Sequence, residues 1–351
     1  IDGNSTSIVF QPDHFEFTTT NVNDFNDGFT YMVNQPIIDP MYATIATTVE
    51  AKNADNNTTS FFSNMCFAND VDVALTYNAQ SKDLSALRIS IANDQNITDM
   101  TTDDNISATN NHADTLAYDN NFTSGTSAIT LRMAVERNAT TPIQPALVDA
   151  QTLKGSITNY LGIPGANVSA GAGTDINATN DIHFYYGRVH APDYRFAGNS
   201  GKAIVYYEVY CKDCTPADRN LMSINGGESI DSINWYINTK HASIIDGNVS
   251  RYSTVEDVRF GTNYASGSDD TNATLLGDPT NGTDTLDVVA DPNNLPYIDK
   301  VEINATDWIT YDPKDFILEF QEDGKEWAGQ GKLGHVIDTN VSTRSNRRLN
   351  W

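Results

Sequence analysis

The sequence predicts an all-β fold, built as two immunoglobulin-like β-sandwich domains with long polar loops. The first observation is a period of two: apolar side chains alternate with polar or small ones along residues 129–135, as in a strand with one buried face. The second is that Asn, Asp, Gly, Thr and Ser cluster between such runs and favour turns. The third is size, because 351 residues with 39% hydrophobic content suffice for two packed cores.

Ten further short apolar runs are predicted to be strands, separated by turn signals at ~8–12-residue spacing, which is typical of β-sandwiches. Only residues 145–161 hint at a helical turn, and Gly155 argues against one there. The predicted strands are residues 7–10, 14–18, 44–49, 71–77, 87–92, 183–189, 203–210, 233–237, 286–290 and 316–320.

The domain boundary is predicted from a change in composition between residues 138 and 180. Three prolines and a run of Gly, Ala, Ser and Asn concentrate there, as in a linker or a long surface loop. We therefore expect an N-terminal sandwich at 1–140, a linker or loop at 141–180, a C-terminal sandwich at 181–343 and a basic tail at 344–351.

The charge of the chain narrows the classes of partner. A formal net charge of −25 excludes a nucleic-acid-binding role, since phosphate neutralisation needs a basic surface. No apolar run approaches the ~18–20 residues of a membrane-spanning helix. Because Ile1 opens directly into sequence of mature composition, we expect an export signal or a longer upstream region to have been removed, and an extracellular or bacterial cell-surface location.

Asparagine triplets form the most informative pattern. Fourteen Asn-x-Ser/Thr triplets occur, and an Asp or Glu stands two positions before the asparagine in 11 of them. With 46 acidic residues in 351, chance gives about 1.8. A composition rich in Asn and Thr generates plain triplets, but it does not generate an acid at a fixed offset.

This pattern resembles the Asp/Glu-x-Asn-x-Ser/Thr acceptor of Campylobacter-type bacterial N-glycosylation. In that family a basic residue of the transferase pairs with the acid, and transfer takes place outside the inner membrane. The resemblance implies covalent N-linked glycans on exposed loops or strand ends. The predicted acceptors are Asn4, Asn57, Asn96, Asn105, Asn121, Asn138, Asn177, Asn248, Asn272, Asn304 and Asn340.

A second resemblance lies around residues 184–196. Phe-Tyr-Tyr-Gly-Arg-Val at 184–189, with Ala-Pro-Asp-Tyr-Arg-Phe at 191–196, resembles a domain of unknown function at the C-terminal end of secreted proteins related to MshQ, an accessory protein of mannose-sensitive haemagglutinin pili. Residues 29–32 and 48–53 resemble the start of the same domain. The resemblance implies a surface location and an adhesive context. From the residues alone, Gly187 and Arg188 indicate a bulge or an edge pairing.

Three cysteines occur, Cys66, Cys211 and Cys214. The Cys-Lys-Asp-Cys segment lacks the further ligands of a zinc site, and the polar turn after it differs from the helix that follows a redox pair. In an oxidising compartment we expect a Cys211–Cys214 disulfide, with Cys66 a buried free thiol.

No catalytic constellation is recognised, and we expect a protein that is not an enzyme. HExxH, GxSxG and a complete phosphate-binding loop do not occur in the sequence, and the six histidines show no paired ligand spacing. No cofactor is predicted. Structural calcium remains an open alternative at residues 23–28 and 278–284, although neither segment has EF-hand spacing.

These observations favour a bacterial cell-surface N-glycosylated structural or adhesive protein, a subunit of an extracellular filament or other surface assembly. The expected contacts are addition of the strand at 7–10 to the sheet of a neighbour and binding of the basic tail to an acidic surface. The alternatives are a secreted carbohydrate-binding module, with Trp235 and Tyr236 lining a groove, and a glycoside hydrolase.

Overall fold

The computed structural model divides the chain into two compact units, Ile1–Tyr186 and Gly187–Trp351, here unit 1 and unit 2. No helix of the described residues has the length and apolar character needed to cross a membrane. The structure describes residues 11–36, 38, 41–63, 68, 70–95, 100–103, 112–118, 122–158, 174–176, 178–241, 258–262, 271–275, 279–313 and 315–321.

Unit 1 consists of strands in three sheets. Their orders are β1-β3-β9-β6-β7, β2-β13-β10-β5 and β12-β11-β4-β8, and all pairs are antiparallel except β13 with β2. The strands are β1 (His14–Asn23), β2 (Thr30–Tyr31), β3 (Ala43–Lys52), β4 (Val71–Tyr77), β5 (Ala79–Gln80), β6 (Ile89–Asn93), β7 (Met100–Asp103), β8 (His112–Tyr118), β9 (Thr126–Val135), β10 (Ala146–Val148), β11 (Lys154–Thr158), β12 (Thr174–Asp175) and β13 (Ile182–Tyr185).

Unit 2 contains two sheets, of orders β14-β16-β20-β19 and β15-β22-β21-β18, with β17 also paired to β16. A short helix follows β16, and β15 pairs with β22 in parallel. The elements are β14 (Gly187–His190), β15 (Tyr194–Ala197), β16 (Ser200–Tyr210), α1 (Pro216–Leu221), β17 (Trp235–Ile237), β18 (Val258–Thr262), β19 (Thr271–Leu275), β20 (Thr283–Ala290), β21 (Tyr297–Ala305) and β22 (Asp315–Gln321).

The predicted all-β class is confirmed. β3 and β4 alternate strictly between buried and half-buried residues, because the side chains on one face of each strand are mostly apolar. The predicted run 183–189 is instead two strands that end and begin on either side of Tyr186, so that β13 belongs to unit 1 and β14 to unit 2. The predicted strand 7–10 lies outside the described residues.

In each unit a glycine of one strand lies directly against an aromatic ring of another strand. A Cβ on Gly155 of β11 would lie 2.5 Å from the Phe17 ring of β1, so no larger residue fits between these two sheets. In unit 2, Gly201 of β16 meets the ring of Phe196 on β15 in the same way. In unit 1 the two sheets therefore close over the buried Phe17 ring.

The boundary expected at residues 141–180 differs from the structure. β10 pairs with β5 and β13, and β11 pairs with β4 over five residues, so these segments are integral strands of unit 1 rather than a linker. Buried Ala146, Leu147 and Val148 explain why. Prolines and small residues flank these strands, and composition averaged over the region conceals them.

Candidate functional site

Two of the eleven predicted acceptors have described side chains, Asn57 and Asn138, and both are exposed. Asn272 is the second residue of β19 and Asn304 the eighth of β21, so these two lie in strands and not in loops. The other seven, Asn4, Asn96, Asn105, Asn121, Asn177, Asn248 and Asn340, lie outside the described residues.

Asn57 lies in a tight turn after β3. The Asn53 side chain shapes this turn, since its Oδ1 accepts from Asp55 N at 3.0 Å and from Asn57 N at 2.9 Å. Asn53 N also donates to Asn57 O at 2.9 Å, and Asn56 has a positive φ of 61°. Residues 54–58 are all exposed, so the acceptor and its acid, Asp55, face solvent together.

The carboxylate of Glu50 joins the two ends of this turn through hydrogen bonds. Lys52 Nζ donates to Glu50, and Thr58 Oγ1 donates to Glu50 Oε2 at 3.0 Å. These hydrogen bonds hold the pKa of Glu50 below its ordinary value, against the effect of burial, and the bond to Glu50 raises the pKa of Lys52. The carboxylate therefore stays ionised and keeps the base of the turn closed.

A groove of about 570 Å³ borders the turn. Phe61 lies on it with 76% of its surface exposed. Gln11, Pro12, Asn53, Thr58, Thr59, Ser60 and Phe62 complete its lining.

Asn138 follows the end of β9 and also caps a turn. Its Oδ1 accepts from the backbone nitrogens of Thr140 and Thr141, both at 3.0 Å, and from Thr140 Oγ1 at 3.2 Å. Its carbonyl accepts from Tyr186 Oη at 2.7 Å. The acid two positions earlier, Glu136, pairs with Arg88 Nη1 at 2.9 Å. Unlike Asn57, this acceptor is tied to the body of unit 1.

Residues 184–189 have structural roles on both sides of the unit boundary. The Tyr185 ring stacks on Phe29 at 5.5 Å within unit 1. In unit 2, Arg188 Nε donates to Glu208 Oε2 at 2.7 Å, and its guanidinium lies 4.0 Å from the centre of the Trp235 ring. β14 lies at the end of its sheet in the described part of the chain, in agreement with the predicted edge pairing.

The aromatic pair proposed for a sugar-binding groove is buried. Trp235 is 5% and Tyr236 7% exposed, because β17 turns them onto the cationic side chains of Arg188 and Arg219. These two rings are therefore too buried to line a sugar-binding groove. Their burial could not be predicted from the sequence, because Arg188 and Arg219, which cover the two rings, are distant from β17 along the chain.

The disulfide predicted between Cys211 and Cys214 is present. It precedes α1, whose first turn has a capping box: Asp218 N donates to Thr215 Oγ1 at 3.2 Å, and Thr215 N donates to the Asp218 carboxylate at 2.8 Å. Cys66 lies outside the described residues, so its predicted burial stays a prediction.

In the segment at 23–28, where calcium was an open alternative, the side chain of Asp24 is buried. Asp24 Oδ1 accepts from Thr30 Oγ1 at 3.0 Å and from His183 N at 3.1 Å. Burial raises the pKa of this carboxyl above its ordinary value, while the contacts with His183 and Thr30 oppose the rise. Asp278, the first acid of the other segment, lies outside the described residues. The described part contains no group of three acids, histidines or cysteines able to hold a metal ion.

Comparison with known proteins gives a family and distant structural likenesses, of which two are described here. Domains 5–6 of the S-layer protein SbsC align over 88% of this chain and 99% of theirs, with 11% identity and a TM-score of 0.19. Red sea bream transglutaminase aligns over 89% of this chain and 32% of its own, with 7% identity and a TM-score of 0.15. TM-scores this low indicate nothing about function, and no curated protein matches the sequence.

The family model for the third domain of DUF6701 matches residues 5–181. This range includes residues 29–32 and 48–53 of the resemblance noted in the sequence, and it ends before the segment at 184–196. It also falls inside unit 1, which ends at Tyr186. The connection to MshQ-related proteins stays a prediction. The chain belongs to the DUF6701 family, and residues 5–181 form its third domain.

Proposed function

We propose that this protein is a structural or adhesive, non-enzymatic component of a bacterial cell surface, exported and N-glycosylated at asparagines preceded by an acid. The observation that carries the proposal is the acid at a fixed offset in 11 of 14 triplets. The exposed turn at Asn57 supports it, since a transferase must reach both the asparagine and its acid, Asp55, from solvent.

Self-assembly is the second part of the proposal. β1 ends its sheet, with β3 as its one sheet neighbour among the described residues. An edge strand offers a row of backbone donors and acceptors to a strand of another chain. The donor would be the apolar segment at 7–10, and the basic tail at 344–351 would add a contact of opposite charge to an acidic neighbour. A head-to-tail contact of this kind propagates into a filament.

Adjacent asparagines give a matched test of the acid rule. Asn56 and Asn57 both begin a triplet, but Asp55 precedes only Asn57 by two positions, and Ala54 holds the equivalent place for Asn56. All four residues are exposed, so substitutions at 54 and 55 leave the core intact.

The chain and its variants are expressed with an acid-requiring bacterial oligosaccharyltransferase, and the glycopeptides are sequenced by electron-transfer fragmentation. We expect glycan on Asn57 in the wild type and none with Asp55→Ala. Combining Ala54→Asp with Asp55→Ala should move the glycan to Asn56. Modification that ignores the position of the acid, or an unmodified wild type, would refute the glycosylation proposal.

A further inference from the structure

The two described acceptor turns differ in how firmly the protein holds them. A transferase that reads an acid at −2 and a hydroxyl at +2 must draw five consecutive residues into its site. For Asn57 these are residues 55–59, and for Asn138 they are residues 136–140. The relevant quantity is therefore the work of lifting each five-residue segment from the folded unit.

The segment around Asn57 has mostly local attachments. Its backbone hydrogen bonds run to Ala51 and Asn53 of the same hairpin, and Thr59 Oγ1 donates to Ala51 O at 2.9 Å. The side chains of residues 54–58 are exposed. Lifting this turn opens one hairpin end and its contact with Gly125, and none of the five residues lifted is buried.

The segment around Asn138 is anchored to distant parts of unit 1. Glu136 N donates to Arg88 O at 2.9 Å, and Arg137 N donates to Val33 O at 2.7 Å. Arg137, between the acid and the acceptor, is 4% exposed, and its guanidinium lies 3.9 Å from the centre of the Tyr186 ring. The Tyr186 hydroxyl also holds the Asn138 carbonyl. Lifting this segment withdraws a buried cation from an aromatic face.

We propose, on the basis of the proposed function, that Asn57 accepts its glycan readily on the folded protein, whereas Asn138 accepts one far faster before unit 1 has folded than afterwards. Tyr186 is the positioning residue that imposes this order, since it holds both Arg137 and Asn138. Occupancy at Asn138 then records whether the transferase acted before folding, and occupancy at Asn57 does not.

The test uses the full chain, purified without glycan, folded, and incubated with the same transferase and its lipid-linked oligosaccharide. Synthetic peptides spanning residues 52–62 and 132–142 report the acceptor quality of each sequence without the fold. We expect both peptides to be modified at similar rates. In the folded chain we expect Asn138 to react about 100-fold more slowly than Asn57, from the loss of one buried hydrogen bond and one cation–π contact.

Two variants distinguish the effect of the contacts that hold each turn from the effect of the acceptor sequence. Tyr186→Phe removes the hydroxyl bound to Asn138 and keeps the ring under Arg137, so we expect the rate at Asn138 to rise about five-fold with Asn57 unchanged. Asn53→Ala loosens the other turn and should raise the rate only at Asn57. Equal rates at both sites of the folded chain, or no reaction at Asn57 when its peptide reacts, would overturn the inference. Peptides that both fail to react would instead refute the proposed function.

Discussion

Replacing Arg188 should destabilise unit 2 more than any surface change, because Arg188 and Glu208 form a buried ion pair. Arg188 is 3% exposed and Glu208 is fully buried. Nε donates to Glu208 Oε2 at 2.7 Å, and Nη2 lies 2.6 Å from the same oxygen. Burial lowers the pKa of Arg188 and the contact with Glu208 opposes this shift only in part, so the attraction within the pair offsets part of the desolvation of the guanidinium.

The variant Arg188→Met leaves the Glu208 carboxylate buried without its cation. Breaking a buried pair in this way costs about 3–5 kcal/mol, a large part of the ~5–15 kcal/mol that stabilises an ordinary domain. Removing both charges, with Arg188→Met and Glu208→Leu, deletes the unpaired carboxylate as well. The double variant should therefore lie within about 1 kcal/mol of the wild type.

Urea unfolding followed by tryptophan fluorescence measures these differences selectively. All four tryptophans, at positions 235, 308, 327 and 351, lie in unit 2. The signal therefore reports unit 2 alone, with Trp235 beneath the guanidinium under study. A single variant that loses less than about 1 kcal/mol, or a double variant no more stable than the single one, would refute the buried-pair account.

Three further predictions concern pH, redox state and assembly. Burial raises the pKa of Asp24 above the 3.8 of its ordinary state, so the folded state binds this proton more tightly, and the contribution of Asp24 to stability falls as pH rises above 3.8. Urea titrations of the wild type and of Asp24→Asn measure this contribution as the difference between their free energies of unfolding. This difference should decrease from pH 3.5 to 7, and an increase would contradict the prediction. Reducing the Cys211–Cys214 bridge should lower the stability of unit 2 by ~2 kcal/mol, the loop-closure value for four residues; an unchanged urea midpoint after reduction would show otherwise. Deleting residues 1–12 should leave folded protein that no longer forms filaments in electron micrographs, and normal filaments from the truncated chain would exclude strand donation by the segment at 7–10.

Strand positions were predictable where one face of a strand is buried. The predicted run 71–77 coincides with β4, and 14–18, 44–49 and 316–320 lie inside longer strands. Helix α1 was missed although its signal is present: Thr215 and Asp218 have capping-box spacing, and Pro216 takes the first helical position. Two- and three-residue strands such as β5 and β10 have no period to detect, because their pairing partners alone define them.

The site was less predictable than the fold, because accessibility depends on residues far apart in the chain. The sequence identifies Asn57 and Asn138 as equivalent acceptors, each with an acid at the same offset. Their difference arises from Arg88, from Val33 and from Tyr186, which is 48 residues beyond Asn138. No local pattern reports such contacts, whereas the local Asn53 cap at the other turn is visible in the sequence as an Asx turn signal.

The segment at 184–189 shows how packing accounts for residues that resemble a functional motif. Tyr186 completes unit 1 through Arg137 and Asn138, and Arg188, two positions later, completes unit 2 through Glu208. An aromatic ring and a guanidinium at this spacing therefore each pack into a different core. Of the described acids at this offset, Asp55 is exposed in its turn, whereas Asp94, Glu136 and Asp175 form ion pairs with Arg132, Arg88 and Lys154. The proposed recognition by a transferase accounts for the shared offset of all eleven acids, and this makes the asparagine turns the better guide to function.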